Sequence, residues 1–283
     1  MSGVRSQYGG SGDEAVMTAS GTSGGQADVL SVLSEGEIEL RGRIPWSSNA
    51  TFLVAVKPQP GGRRRAGPTR PPGRGAGPAR GSGGPVRPLL AIYKPTKGER
   101  PLWDFPRGLW RREVAAYELD AHLGWGLVPP TAARADGPLG PGSLQYCVDA
   151  VLDEHYFTLL EEPAHHRALR RIAAFDFVAN NADRKGGHCL VDGEGHVWAI
   201  DNGLCFHVEP KLRTVVWDFA GDRIEDELLA ALEPLARGEV PVPLTKLLAK
   251  EEITAVAARA SSLCHRRRYP EPSTEYPYPW PLI

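Results

Sequence analysis

The stretch from Pro58 to Pro88 constrains this chain more than any other part of it. Between Lys57 and Arg87 every charged residue is basic, and the charges are set amid Gly and Pro. Such a segment cannot bury enough apolar surface to offset the entropy of ordering it, so it reads as a solvated loop. The runs on either side, TFLVAVK before it and LLAIYKP after it, are apolar and β-like. The loop is therefore expected as a long insertion in a hairpin, between the second and third strands of one sheet. It is either an inert linker or a contact for phosphate or acidic surfaces.

The rest of the chain arranges itself around that sheet. Residues 1–27, rich in Gly, Ser and Thr, are expected to be a disordered tail. VLSVLSEGEIELRGRI then gives a short helical turn and a first strand, and SSNATFLVAVK gives the second. After LLAIYKP, WRREVAAYELDAHLG carries Val114, Ala115, Tyr117, Leu119 and Leu123 at helical spacing, with Gly124 as its stop. LVPPT breaks that helix, SLQYCVDAV reads as a strand, and HHRALRRIAAFDFVANN reads as an amphipathic helix with a basic outer face. A polar loop, NNADRKGGH, leads to two short strands joined at GEGH, and two or three helices follow between Asp222 and Arg268. The fold class is α+β. The expected division is an N-lobe over 28–144 containing the 58–88 insertion, a mostly α C-lobe over 145–268, and a proline-punctuated tail over 269–283.

Global properties exclude several roles. Near-neutral net charge, −1 over 283 residues, offers no general attraction to nucleic acid or anionic membrane. MSGVRSQYGG lacks the apolar core of a signal peptide, and Phe52 to Val56 is far too short a run to cross a bilayer. Four cysteines without paired spacing point to free thiols in a reducing compartment. The expected location is the cytoplasm.

Four residues occur in an order suited to phosphoryl transfer, which asks for a lysine on the phosphates, carboxylates on a metal and a group orienting the acceptor. Lys94 ends an apolar strand, Glu113 opens the next helix, Asp183 lies in the polar loop, and Asp201 ends the last strand before Asn202 and Gly203. Each also has a plain structural use. Lys94 could be a solvated strand end, and Asp201-Asn202-Gly203 a tight hairpin turn. Asp183 with Arg184 could be a surface ion pair, and Glu113 a helix-start acid favoured by the macrodipole.

With their surroundings, AIYKP, RREVAAYELD, NNADRKGGH and IDNG, these residues resemble the signatures of the phosphatidylinositol 3- and 4-kinase-like superfamily, nearest to type II phosphatidylinositol 4-kinases. From about Val29 to Leu235 the chain also resembles an actinobacterial family of uncharacterised proteins described by that distant kinase likeness. The resemblance implies a two-lobed kinase-like fold binding ATP and magnesium. It implies that Lys94 binds the ATP phosphates, Glu113 positions Lys94, Asp183 is the catalytic aspartate and Asp201 ligates the metal. Ser47, Ser48 and Asn49 stand at the phosphate-covering loop, and Gln145, Tyr146, Cys147 and Val148 at the adenine-facing hinge. One position departs: five residues after Asp183, where kinases place a metal-holding asparagine, this chain has His188, whose imidazole suits manganese or zinc better than magnesium.

Two other classes of function compete. One is a nucleotide-binding pseudokinase that regulates a partner, which His188 favours. The other is a structural zinc protein using His188, Cys189, Cys205 and His207, although adjacent residues on a strand point to opposite faces. Within the kinase reading the expected acceptor is a hydroxyl on a protein or small molecule rather than a lipid headgroup, and fold likeness does not choose between them.

Overall fold

The computed structural model describes residues 23–45, 47, 49–59, 88–273 and 275–283. Most of the expected tail over 1–27 lies outside the described residues, as do Ser48 and positions 60–87 of the insertion.

Strands β1 (Glu37–Ile44), β2 (Thr51–Lys57) and β3 (Leu89–Pro95) pair antiparallel in succession. β5 (Gly142–Tyr146) lies beside β3 and β4 (Thr131–Arg134) beside β5, so the sheet runs β1-β2-β3-β5-β4 and is antiparallel throughout. Val56 pairs with Leu89, so the chain leaves the sheet for the insertion and re-enters at the same rung. Along β3, Leu89, Ala91 and Tyr93 are fully buried. The alternation of a strand turns Lys94 to the other face.

Helix α1 (Ser23–Glu35) covers the sheet with Val29 and Leu33, which join Val54, Val56, Leu89, Ala91, Tyr93 and Leu144 in one apolar cluster. It begins at Ser23, earlier than the single turn expected from its Gly- and Ser-rich start. Its far end is held by Arg134, whose Nη1 donates to the Leu33 and Gly36 carbonyls at 3.0 and 2.9 Å. That bond satisfies carbonyls the last turn leaves without helical partners.

The second core is helical. α2 (Trp110–Leu123), α3 (Tyr156–Glu161), α4 (His166–Ala179), α5 (Asp226–Ala236), α6 (Val242–Leu247) and α7 (Lys250–Arg266) surround Leu119, Leu169, Ile172, Phe175, Val178, Phe206, Leu228 and Leu232. Burying each such large side chain contributes roughly 1.5–3 kcal/mol. α2 ends at Gly124 as its sequence implies, and the start of α2 is held by Glu99, whose carboxylate accepts from Gly108 and Trp110 N–H. The basic face of α4 is matched by acids: Arg167 pairs with Glu227 and Arg170 with Asp222. The strand expected over SLQYCVDAV stops at Tyr146, so Gln145 and Tyr146 belong to the sheet and not to the helical half that follows. β6 (Cys189–Val191) and β7 (Val197–Ala199) form the small hairpin, closed by Asp192 Oδ1 accepting from Glu194 and His196 N–H. Among the described residues no helix is long and apolar enough to cross a membrane.

Candidate functional site

Lys94 projects from β3 towards α2 and the loop after β7. Its Nζ donates to Glu113 Oε1 and to Asp201 Oδ1, the latter at 2.7 Å across 107 positions of sequence. Glu113 is nearly sealed, with a side chain 3% exposed, whereas that of Asp201 is 49% exposed. Burial alone would depress the Lys94 ammonium, but the Asp201 and Glu113 carboxylates outweigh it and hold its pKa above the ordinary lysine value. Lys94 in turn holds the Asp201 carboxyl well below the usual range. Glu113 moves upward, because its desolvation exceeds the pull of Lys94.

The segment IDNG is not the tight hairpin turn that its Asn-Gly pair allows. β7 ends at Ala199, and the chain passes directly beneath α2. Asp201 takes a left-handed backbone conformation, φ 57°. Asn202 N–H donates to Glu113 Oε2 at 3.0 Å, its Oδ1 accepts from Arg184 Nη2 at 2.7 Å, and its Nδ2 donates to Ala199 O at 3.1 Å. Gly203 lies close to Glu113, and a Cβ there would stand 3.2 Å from Glu113 Oε1, tighter than an ordinary contact.

Asp183 sits beside this cluster, and its surroundings correct the surface ion-pair reading of Asp183 and Arg184. Arg184 turns inward, away from its neighbour. It forks onto Asp176 with Nη2 to Oδ1 at 2.9 Å, both side chains fully buried, and Thr214 Oγ1 and Asn181 Nδ2 complete the Asp176 carboxylate. Asp183 pairs instead with Lys185, Nζ to Oδ2 at 3.1 Å, and its N–H donates to Asn181 Oδ1 at 2.9 Å. Desolvation raises the Asp183 carboxyl, Lys185 opposes this and the Asp201 charge adds to it. Asp183 and Asp201 therefore feel one another's charge, as the β6–β7 hairpin between them leads one to expect.

His188 lies against Asp201, Nε2 to Oδ2 at 3.4 Å. Lys185 N–H donates to its Nδ1 at 3.3 Å. A neutral ring that accepts at Nδ1 carries its proton on Nε2, so in this arrangement His188 presents an N–H to Asp201 and not a lone pair. Burial pulls its pKa down to about 4, although Asp201 resists, and the ring is neutral at ordinary pH.

The other expected residues among those described are engaged elsewhere. Ser47 Oγ lies 2.7 Å from Thr51 Oγ1, and Asn49 Oδ1 accepts from Arg100 N–H at 2.9 Å, which docks the β1–β2 turn onto the chain leaving Lys94. Gln145 Nε2 donates to Thr131 Oγ1 at 3.0 Å. Tyr146 and Cys147 N–H donate to Pro130 and Leu90 carbonyls, while Val148 packs against the sheet core. The proposed zinc residues do not form a common centre. His207 stacks edge-on against Phe105, and Cys189 and Cys205 are buried, with burial pushing the Cys189 thiol up to about 12. Among the described residues no three His, Cys, Asp or Glu side chains form a group able to hold a metal. Hard carboxylate oxygens at Asp201 and Asp183 are nonetheless the donor type that magnesium takes.

One residue at the site escaped sequence reasoning. Arg112, beside Glu113, is buried; its Nη1 donates to Cys205 O at 2.7 Å, and Nη2 pairs with Glu252 on α7. It ties α2 to the loop that carries Asp201. Its adjacency to Glu113 in a helix facing two partners was the available signal.

Fold and site together define an α+β protein whose antiparallel sheet meets a helical body through a Lys–Glu–Asp cluster. No family model matches the sequence. The chain is 38% identical over 293 residues to Protein Rv2133c of Mycobacterium tuberculosis, a match covering 90% of this chain and 96% of that protein. It belongs to the same family as that protein.

Proposed function

We propose that this chain is a cytoplasmic, two-lobed kinase-like phosphotransferase that uses ATP and a divalent metal to phosphorylate a hydroxyl on a protein or small molecule. The observation that carries the reading is the double pairing of Lys94 with Glu113 and Asp201, which joins the sheet, α2 and the loop after β7 at one partly open point. Lys94, held as an ammonium, anchors phosphate, and Glu113 with Asn202 N–H fixes its position. Asp201 would hold magnesium, which would supply positive charge to neutralise the phosphates. Asp183, its carboxyl raised by burial, orients the acceptor hydroxyl and receives its proton. His188 steadies Asp201 through Nε2–H; as a ligand, which manganese would favour, it needs the other tautomer.

A second reading is a pseudokinase that binds nucleotide without turnover. It is favoured by the occupation of both Asp201 oxygens by Lys94 and His188. Thermal unfolding separates the readings. ATP with magnesium is expected to raise the melting temperature by mass action, and Asp201→Asn to remove the metal-dependent part. No shift with magnesium or manganese overturns both readings, and a shift without any phosphate transfer leaves the second.

A further inference from the structure

After α7 the chain runs as YPEPSTEYPYPWPLI, and much of its apolar surface is left uncovered. Tyr276 is 69% exposed, Trp280 88% and Ile283 55%; Pro279 is buried. The segment is held chiefly through its main chain. Thr214 N–H donates to Pro277 O at 3.0 Å, and Gly186 N–H donates to Leu282 O at 2.7 Å. Trp217 Nε1–H reaches the same Pro277 carbonyl at 3.1 Å.

The two main-chain donors adjoin the candidate site. Gly186 directly follows Lys185, the partner of Asp183, and Thr214 is bridged to Arg184 on the same loop. A Cβ on Gly186 would stand 3.0 Å from the Phe157 ring and 3.4 Å from Ile283 Cγ1. The absent side chain lets this turn pack closely against Phe157. At the segment's entry lies an open cavity of about 160 Å³ lined by Lys211, Arg213, Glu275 and Tyr276 among others. Donors that read carbonyls of an extended, proline-containing strand, with little demand on its side chains, are a recurring mode of peptide recognition. Proline-rich segments suit it because they are extended before they bind.

We propose that the edge formed by Gly186 and Thr214 is a binding track for an extended, proline-containing polypeptide, which residues 276–283 fill in cis. Few main-chain bonds and exposed apolar side chains make this strap exchangeable for a competing peptide. The functional consequence rests on the phosphotransferase reading: the acceptor hydroxyl is carried on a polypeptide, and the strap leaves before the acceptor binds. The track itself stands apart from that reading.

The test titrates a labelled peptide, EYPYPWPLI, against the full-length chain and against a full-length variant whose residues 276–283 are replaced by Gly and Ser. Fluorescence anisotropy is expected to show at least tenfold tighter binding to the variant, weakened severalfold by Trp217→Phe on the same background. That change removes the indole N–H that reaches the Pro277 carbonyl and leaves an aromatic ring in its place. Equal binding to both chains, or binding to neither, overturns the track. Should the replaced chain fail to fold, hydrogen exchange on the wild type decides the matter. Gly186 and Thr214 amides are expected to be at least a hundredfold less protected than Phe175 in the core, and equal protection overturns the proposal. ATP-induced melting shifts on the same samples test the phosphotransferase reading separately, since peptide binding does not require nucleotide.

Discussion

Arg184 and Asp176 meet where neither is exposed at all, while Lys94 and Asp201 meet where the carboxylate side chain is half open to solvent. The sealed carboxylate has its acceptor sites met from within, by Arg184, Thr214 and Asn181. The open one keeps a face that solvent reaches. Asn202 links the two, taking Arg184 on its side chain and offering its N–H to Glu113. A sealed pair thereby sets the geometry of a solvent-accessible one. Similar chemistry serves as scaffold or as site according to water access, because a desolvated charge cannot give up its partner without large loss.

The comparison breaks most easily at its sealed end. Asp176→Ala leaves the Arg184 guanidinium buried without its counter-charge and is expected to destabilise the fold by about 3–5 kcal/mol. Urea unfolding checks this, and a loss under about 1 kcal/mol would show that the pair is not the scaffold described.

Asp120 sharpens the comparison as a buried carboxylate whose Oδ1 lacks a hydrogen-bond partner. Its Oδ2 accepts from Leu127 and Val128 N–H at 2.8 and 2.9 Å, but burial raises its pKa to about 7. Between the unfolded carboxyl value near 4 and this folded value, the native chain holds a proton that the unfolded chain has released. Stability is thus complete below about pH 4 and declines as pH rises to 7, by about 2–4 kcal/mol at roughly 1.4 kcal/mol per pKa unit. Asp120→Asn, which imitates the protonated acid, is expected to remove that decline. Parallel pH profiles for wild type and variant would refute the assignment.

At the open end, Lys94→Ala strips the sealed Glu113 of its counter-charge and is expected to cost about 1–3 kcal/mol. The double change Lys94→Ala with Glu113→Gln should recover most of it, and Asp201→Asn alone should change chemical stability by under about 0.5 kcal/mol. If Asp201→Asn proves as damaging as Lys94→Ala, the pair is structural throughout.

What could be read in advance follows the same division. The strands TFLVAVK and LLAIYKP, the α2 stripe of Val114, Ala115, Leu119 and Leu123, and the pairing of Lys94 with Glu113 were legible in pattern and order, whereas Asp201 joined them only through the kinase resemblance. The Arg184–Asp176 pair was not, because Arg184 adjoins Asp183 in sequence and only the left-handed turn at Asn180 redirects the loop. β4 was missed because its four residues follow two prolines and take their strand character from β5 alongside. The start of α1 was hidden by Gly and Ser, poor helix formers whose preference tertiary packing overrides. The use of His188 turned on a backbone N–H from Lys185, which no side-chain pattern records.

The rung at which Val56 faces Leu89 gives the chain a docking port for foreign sequence. The entropy of closing a flexible loop rises by only about 0.6 kcal/mol for each doubling of its length, so what is threaded between these two residues can lengthen, shorten or be exchanged almost freely. A reporter domain whose own ends lie close together could be spliced there with the ladder on either side still in register. The sheet can therefore accept wide changes of length at that one junction and keep its register.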